Sequence, residues 1–289
     1  MPSASDFDEF YYRNCCGQPY ERNETWLRFF GAIADRIVSD LNPRRVMDAG
    51  CASGMLVEAL RARAVDARGV DVSPFAIGAV PAALQPYCRE GSIAEPFGER
   101  YDLIVCIEVL EHMAPGEADR AIANLAAHAD DVLFSSTPFD FKEPTHVNVR
   151  MPEEWAETFA RQGLFRDVDY DASFITNWAV RFTRRNVPAH RLVRDYERRF
   201  WQLRAAEHDA RAYSLEIQQR LEAVEKERDR LAPFEPEVHS LRILRGELDE
   251  ANHLLRQRLT GAENTIAAME SSLFWKLRLL MVKLRRLFR

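Results

Sequence analysis

The first residues with chemical promise lie in Asp48-Ala49-Gly50-Cys51-Ala52-Ser53-Gly54, between a short apolar run and a helical stretch. Small residues at such a turn let the chain reverse sharply and let a ligand approach the main chain. Asp71 ends the next apolar run, 23 residues beyond Asp48, an offset that suits a carboxylate accepting both hydroxyls of an adenosine ribose. A Gly-x-x-x-Gly alone also describes an ordinary strand–helix turn, and the acid in front of it is the discriminating feature. Dinucleotide-binding turns seat a pyrophosphate on the helix N-terminus. A carboxylate beside that seat repels phosphate but tolerates a cationic ligand such as a sulfonium or an ammonium.

Two histidines compete for the role of a base that takes a proton from an acceptor hydroxyl. His112 follows Glu111 after a strongly apolar run, and His146 lies in Pro144-Thr145-His146-Val147-Asn148-Val149-Arg150. Glu108 stands where it could orient either one. His146 is the favoured base. The competing readings are a loop histidine satisfied by backbone for His112, and a hydrogen-bonded hinge of the Thr137-to-Pro144 loop for His146. Arg150 reads either as an anchor for an acceptor phosphate or carboxylate, or as a surface ion pair. Asp140 and Glu143 could bind a metal that orients a diol, but nothing in their spacing demands one, so no metal site is expected.

These groups need strand ends and loops to hold them. Thr25 to Leu41 shows helical spacing through Trp26, Phe29, Phe30, Ile33 and Ile37, and stops at Asn42-Pro43. Strands are predicted at Arg45 to Asp48, Ala67 to Val72, Tyr101 to Ile107, Asp131 to Ser135, Phe165 to Tyr170 and Trp178 to Thr183. Helices are predicted at Met55 to Arg63, Phe75 to Val80, Glu117 to Ala127 and Pro152 to Gln162. Such alternation specifies a doubly wound α/β fold, a parallel sheet with helices on both faces. The last two strands have no helix between them and are expected to pair antiparallel at the sheet edge. Ligands of such sheets bind outside the carboxyl ends of the strands, over which the His146 loop opens.

The segment Val46-Met47-Asp48-Ala49-Gly50-Cys51-Ala52-Ser53-Gly54 resembles the first motif, D-x-G-x-G-x-G, of class I S-adenosylmethionine-dependent methyltransferases. Gly69-Val70-Asp71-Val72-Ser73 resembles the second. Phe97-Gly98-Glu99-Arg100-Tyr101-Asp102-Leu103-Ile104-Val105-Cys106-Ile107-Glu108-Val109-Leu110-Glu111-His112 is similar to the fourth-strand signature fDlI…evLEH. Order and spacing agree over residues 40–185. The resemblance implies a seven-stranded Rossmann-like sheet with its last strand antiparallel, S-adenosyl-L-methionine as cofactor, and methyl transfer. It implies that Asp48, Gly50 and Gly54 lie along the methionyl part, Asp71 holds the ribose, Ser92 and Ile93 flank the adenine, and Ile107 lies near the methionyl amino group. Two departures stand out. Ala52 replaces the middle glycine, which narrows the turn slightly. Ser92 stands where many members carry an acid for the adenine amino group, and its hydroxyl can still accept that bond, so weaker affinity is expected rather than lost binding.

Around this domain, read as residues 41–187, the chain adds three parts. Residues 1–40 form a lead and helix capping the cofactor site. There Phe7, Phe10, Tyr11, Tyr12 and Tyr20 crowd Cys15-Cys16-Gly17, as an aromatic roof or as plain packing on the sheet. Residues 190–270 carry a 4-3 apolar spacing that predicts a coiled-coil arm, interrupted by Pro233 and Pro236. The arm either makes a homo-oligomer or folds back as a hairpin. Residues 271–289 project as a basic amphipathic helix with Trp275 and Phe288, which reads as lying on an anionic membrane surface or buried in an oligomer. The run Ser271-Ser272-Leu273-Phe274-Trp275-Lys276-Leu277-Arg278 also resembles tails of bacterial glycosyltransferases and methyltransferases of surface-polysaccharide assembly.

Composition narrows the class further. At 47% hydrophobic the chain carries too much apolar surface for general disorder. No apolar run is long enough to span a bilayer, and the first residues lack the features of a signal peptide. Five cysteines without framework spacing suit a reducing compartment, so a cytoplasmic location is expected. Residues 1–189 carry 19 basic and 29 acidic side chains, whereas residues 190–289 carry 20 and 16. An acidic domain with a basic tip argues against nucleic acid as partner and allows an anionic surface at the tail. The expected activity is O-methylation of a sugar hydroxyl on a glycan or lipid-linked saccharide at the inner face of a bacterial membrane. The rivals are a methyltransferase for a small metabolite or quinone-like phenol, and a non-catalytic scaffold.

Overall fold

The computed structural model describes residues 2–271. The chain runs α1 (Glu9–Asn14), α2 (Glu24–Leu41), β1 (Arg45–Ala49), α3 (Met55–Arg61), β2 (Asp66–Asp71), α4 (Pro74–Gly78), β3 (Cys88–Glu90), β4 (Leu103–Ile107). It continues with α5 (Pro115–His128), β5 (Asp131–Ser135), α6 (Pro152–Arg161), β6 (Leu164–Arg166), β7 (Val180–Arg184), α7 (Ala189–Leu231) and α8 (Glu235–Ser271). Seven strands form one sheet in the order β3-β2-β1-β4-β5-β7-β6. The pairings from β3 to β5 are parallel, and β7 runs antiparallel to both β5 and β6. This is the doubly wound sheet with an antiparallel last strand that the sequence predicts.

Consecutive residues of the central strands feed opposite faces. Leu103 and Val105 of β4 join the core under α2 and α3, while Ile104 and Cys106 join the core under α5 and α6. A strand buried on both sides reads as an unbroken apolar run, which is how β4 announces itself in the sequence. On one face α2 buries Phe30, Ile33, Ala34 and Ile37, capped by Asn23 accepting from the Trp26 amide and stopped at Asn42 in the left-handed region. On the other face Phe159 of α6 stacks on Phe182 of β7, with ring centroids 4.2 Å apart.

Two elements differ from expectation. β3 was not predicted: of its three residues only Cys88 is buried, and an edge strand paired solely to β2 shows no apolar run. β6 ends at Arg166 rather than Tyr170, and the following residues form a loop that buries Ala172 and Ile175.

The described residues divide into two compact units, one up to Leu203 and one from Arg204 onward. In the second, a short turn at Ala232–Phe234 interrupts the helix and α8 resumes with Pro236 in its first turn, where a missing N–H does no harm. Leu221, Leu244 and Leu255 are 56%, 60% and 60% exposed. A hairpin would bury them, so that alternative is not formed among the described residues. No described helix is long and apolar enough to cross a membrane. The predicted basic tail, beyond Ser271, lies outside the described residues.

Candidate active site

The carboxyl ends of β1, β2 and β4 open into a cavity of about 650 Å³. Asp48, Gly50, Asp71, Ser92, Ile93 and Ile107 lie on its wall. Gly54 does not; it stands behind as the residue preceding α3, where an added Cβ would meet Cys88 Sγ at 3.0 Å. Gly50 takes a φ of +92° and donates its amide to the Val70 carbonyl at 2.8 Å. A Cβ on Gly50 would strike Val109 Cγ2 at 2.3 Å, so this close approach requires glycine.

Ala52 adopts a φ of +46°, in the left-handed region, where a Cβ costs roughly 1–2 kcal/mol. Replacing the middle glycine therefore stores strain in the turn. The strained residue is also a donor: its amide bonds Asp71 Oδ2 at 2.8 Å, while the Ser73 amide bonds Asp71 Oδ1 at 2.8 Å. Each Asp71 oxygen keeps a lone pair beyond these bonds. Burial pushes the Asp71 carboxyl up, against the opposing pull of those amides. Asp48 is pushed up to about 8, first by burial and then by the charge of Asp71. Two buried carboxyls side by side are costly to ionise, and a positive ligand lowers that cost. The residues present thus fit a sulfonium nucleoside, in a cavity of ordinary ligand size.

The loop after β3 is pinned from the helix layer. Asn124 of α5 donates its side-chain amide to the carbonyls of Ile93 and Glu95 at 2.9 and 2.6 Å. Ser92 Oγ accepts the Ala94 amide at 3.1 Å and retains its own proton for a ligand. Phe7, Tyr11, Tyr12 and Tyr20 of the N-terminal lead border the same cavity. They also pack on one another, with Tyr11 edge-on to Phe7 at 5.0 Å and to Tyr12 at 5.1 Å.

The two competing histidines prove to be neighbours, with ring centroids 4.6 Å apart on the cavity wall. Thr145 Oγ1 donates its proton to Glu143, so His112 Nδ1, at 2.8 Å from that hydroxyl, must be the donor to it. His146 Nδ1 lies 2.8 Å from the Asp140 carbonyl, which can only accept. His112 therefore presents an unprotonated Nε2, whereas His146 Nε2 faces the Glu143 carboxylate at 3.4 Å. His112 Nε2 sits 3.3 Å from the Tyr11 hydroxyl. Burial, then the positive charge of His146, push His112 down to about 3, which keeps it neutral through the working range. Glu108 holds a φ of +52°, and its Oε1 accepts the Trp178 indole N–H at 2.8 Å.

Glu111, in the quoted Leu-Glu-His run, is fully buried. Burial and the like charge of Glu108 hold its carboxyl well above the usual range. The two acids read as metal candidates instead hold the loop: Asp140 accepts the Lys142 and Glu143 amides, and Glu143 accepts from Thr145. Arg150 makes the ion pair, bonding Asp119 at 3.2 Å and lying over the Trp155 ring. Trp178, Asn124 and Glu111 complete the site without having been singled out. Only Glu111 carries a visible signal, three residues after Glu108, and the others meet the site through folding alone.

Residues 20–179 match the family model described as a methyltransferase domain. Among curated proteins, the ubiquinone biosynthesis O-methyltransferase of Methylococcus capsulatus is 29% identical over 111 residues, 34% of this chain and 45% of that protein. That of Aromatoleum aromaticum is 32% identical over 108 residues, 34% of this chain and 46% of that protein. The chain spans less than half the length of these relatives. Among solved structures, magnesium protoporphyrin IX methyltransferase of Synechocystis with bound S-adenosylmethionine aligns at a TM-score of 0.48 and 17% identity, over 64% of this chain and 98% of that one. The family match covers more than half of the sequence, and the chain belongs to the methyltransferase domain family.

Proposed function

We propose that this enzyme methylates a hydroxyl oxygen, and that its acceptor is a sugar hydroxyl of a glycan or lipid-linked saccharide in bacterial surface-polysaccharide assembly. The observation that carries the reaction type is the pair of imidazoles, His112 and His146, bordering the same cavity as the Asp48 and Asp71 carboxyls. When bound, S-adenosyl-L-methionine supplies a methyl group already activated on sulfur. Asp71 would hold its ribose, Ser92 and Ile93 its adenine, and Asp48, Gly50, Gly54 and Ile107 its methionyl part.

The protein must then align the acceptor and remove its proton. An aliphatic hydroxyl keeps its proton near neutrality, so an activating group is required. His146 is that group: the Asp140 carbonyl accepts from its Nδ1 and holds the ring on the cavity wall. Glu108, fixed by Trp178, and the neutral His112 line the approach. The aromatic wall of Phe7, Tyr11 and Tyr12 suits the face of a sugar ring. The arm's exposed leucines support a homo-oligomer, and a tail on the anionic inner membrane would bring the cytoplasmic enzyme to lipid-linked substrates. The names of the curated relatives favour a second acceptor, a quinone-like phenol, whose hydroxyl is more acidic.

Labelled methyl donor tests the reading against nucleotide sugars, lipid-linked saccharides and catechols. Label on a saccharide hydroxyl is expected. Label on catechols alone overturns the glycan acceptor, and donor binding without label on any acceptor favours the scaffold. His146→Ala should lower kcat and leave donor affinity unchanged; wild-type turnover would exclude His146 as the activating group. Sedimentation of the full chain, and vesicle flotation with and without residues 271–289, test the arm and the tail.

A further inference from the structure

The apolar stripe of α7 has no cover, since none of that helix's side chains is buried. Over residues 207–231 the inner positions of the heptad fall in two rows, Glu207, Ser214, Leu221 and Arg228 in one, Ala210, Ile217, Val224 and Leu231 in the other. Ile217, Leu221, Val224 and Leu231 are exposed, as on a surface built to meet another chain. The first row also holds two charges of opposite sign, Glu207 and Arg228, three heptads apart. Neighbours on the same helix meet them, Arg204 at 2.7 Å and Arg211 at Glu207, and Asp229 at 2.7 Å at Arg228.

Charge and size together decide how a second copy lies along this stripe. In a parallel, in-register pair every residue meets itself. Glu207 then faces Glu207 and Arg228 faces Arg228, like charges in the seam, while Ala210 and Ser214 face equally small partners and leave voids. In an antiparallel pair centred on Gln219, each residue of one row meets one of the other. Ile217 packs against the partner's Leu221, Ser214 against the partner's Val224, and Ala210 against the partner's Arg228. Every small residue now faces a large one. The room above Ala210 lets the facing guanidinium reach the partner's Glu207 one layer further out, and two-fold symmetry makes that pair twice. On the flank, Arg211 lies level with the partner's Glu225. Arg220 meets its own copy near the axis, where Glu216 of the same chain, 2.6 Å away, offsets the repulsion.

We propose that α7 pairs with α7 of a second copy of this chain as an antiparallel two-stranded coiled coil over residues 207–231, its orientation set by Glu207 against Arg228. The apolar layers drive the association, and the two charges reject the parallel alternative. The two chains enter the paired segment from opposite ends, about 36 Å apart at 1.5 Å per residue. The orientation rests on the homo-oligomer proposed above, and the measurements below separate the two.

Sedimentation of the full chain gives the dimer dissociation constant. Glu207→Arg and Arg228→Glu each bring like charges together in the antiparallel pair, and each should weaken the dimer about tenfold or more. The double variant reverses the pair and should return the dimer to within about threefold of wild type. In a parallel pair either single change trades one like pair for another, so no variant would matter. A purely local cost to the helix would accumulate in the double variant instead of cancelling. Oxidative cross-linking reads the orientation directly. A re-equilibrated mixture of Ser214→Cys and Val224→Cys chains should link one kind of chain to the other, and neither variant alone should link above the wild-type background. A monomeric wild type refutes the homo-oligomer itself. Single variants that associate as wild type, a double variant no tighter than the single ones, or Ser214→Cys chains linked to each other overturn the antiparallel pairing and leave the homo-oligomer standing.

Discussion

Asp48 makes the electrostatics of the cavity measurable, because burial and Asp71 push its carboxyl up to about 8. At pH 7 roughly nine in ten ligand-free molecules then carry a proton there. A sulfonium ligand favours the ionised carboxylate, so binding drives that proton off, about 0.9 per site at pH 7. Affinity should rise about tenfold per pH unit below 8, equivalent to about 1.4 kcal/mol per unit, and level off above. The donor's own amino group titrates near 7.7–8.0, so measurements between about pH 6 and 7 isolate the protein's contribution. Calorimetry of S-adenosylmethionine binding in two buffers of different ionisation enthalpy counts the protons. S-adenosylhomocysteine, without the sulfonium charge, should release fewer, and Asp48→Asn should release none from this site. Equal heats in both buffers, with affinity flat across that pH window, would refute the reasoning. Stability gives the sign independently. A carboxyl whose folded pKa is raised from 3.8 to about 8 holds its proton more tightly when folded. The ligand-free protein therefore loses stability from this group as pH climbs through that interval, and Asp48→Asn should flatten the slope.

Three further outcomes are expected. Ala52→Gly relieves the left-handed strain at the turn and should add about 1 kcal/mol in urea unfolding; equal or lower stability contradicts that strain. Asn124→Ala strips the donor from the loop carbonyls of Ile93, which is buried, and Glu95, at a cost of about 1–3 kcal/mol, and should weaken donor binding more than it lowers kcat. An unchanged donor Kd, measured by calorimetry, would detach the adenine-side loop from α5. Trp178→Phe removes the donor to Glu108 and should lower kcat with little change in donor affinity; wild-type kcat in steady-state assays would show that Glu108 needs no such anchor.

The legible parts of the chain are those where local pattern and burial coincide. β4 and the middle of β5, Val132 to Phe134, alternate between two cores, so those residues must be apolar, and Leu103–Ile107 could hardly be read otherwise. Asp48 and Asp71 are legible for the opposite reason: acids ending apolar runs demand a cause. β3 escaped because Cys88-Arg89-Glu90 pairs through backbone at an edge and buries one side chain. Trp178 was assigned to a strand that begins two residues later, because its indole N–H finds a carboxylate instead of a ladder position. His112 and His146 were read as rivals. Thr145, 33 residues from His112, is what brings the loops together, and such a long-range closure leaves no periodic trace. The tautomer of His112 follows from that closure and so was equally invisible.

Ser73 joins three parts of the domain through one side chain and one amide. Its hydroxyl donates to the Phe7 carbonyl at 2.6 Å and accepts from Ala76, while its amide holds Asp71. The aromatic cover is thus latched to the residue that steadies the Asp71 carboxyl. Any change that frees Ser73 therefore loosens the Phe7 cover, the Asp71 carboxyl and the first turn of α4 together.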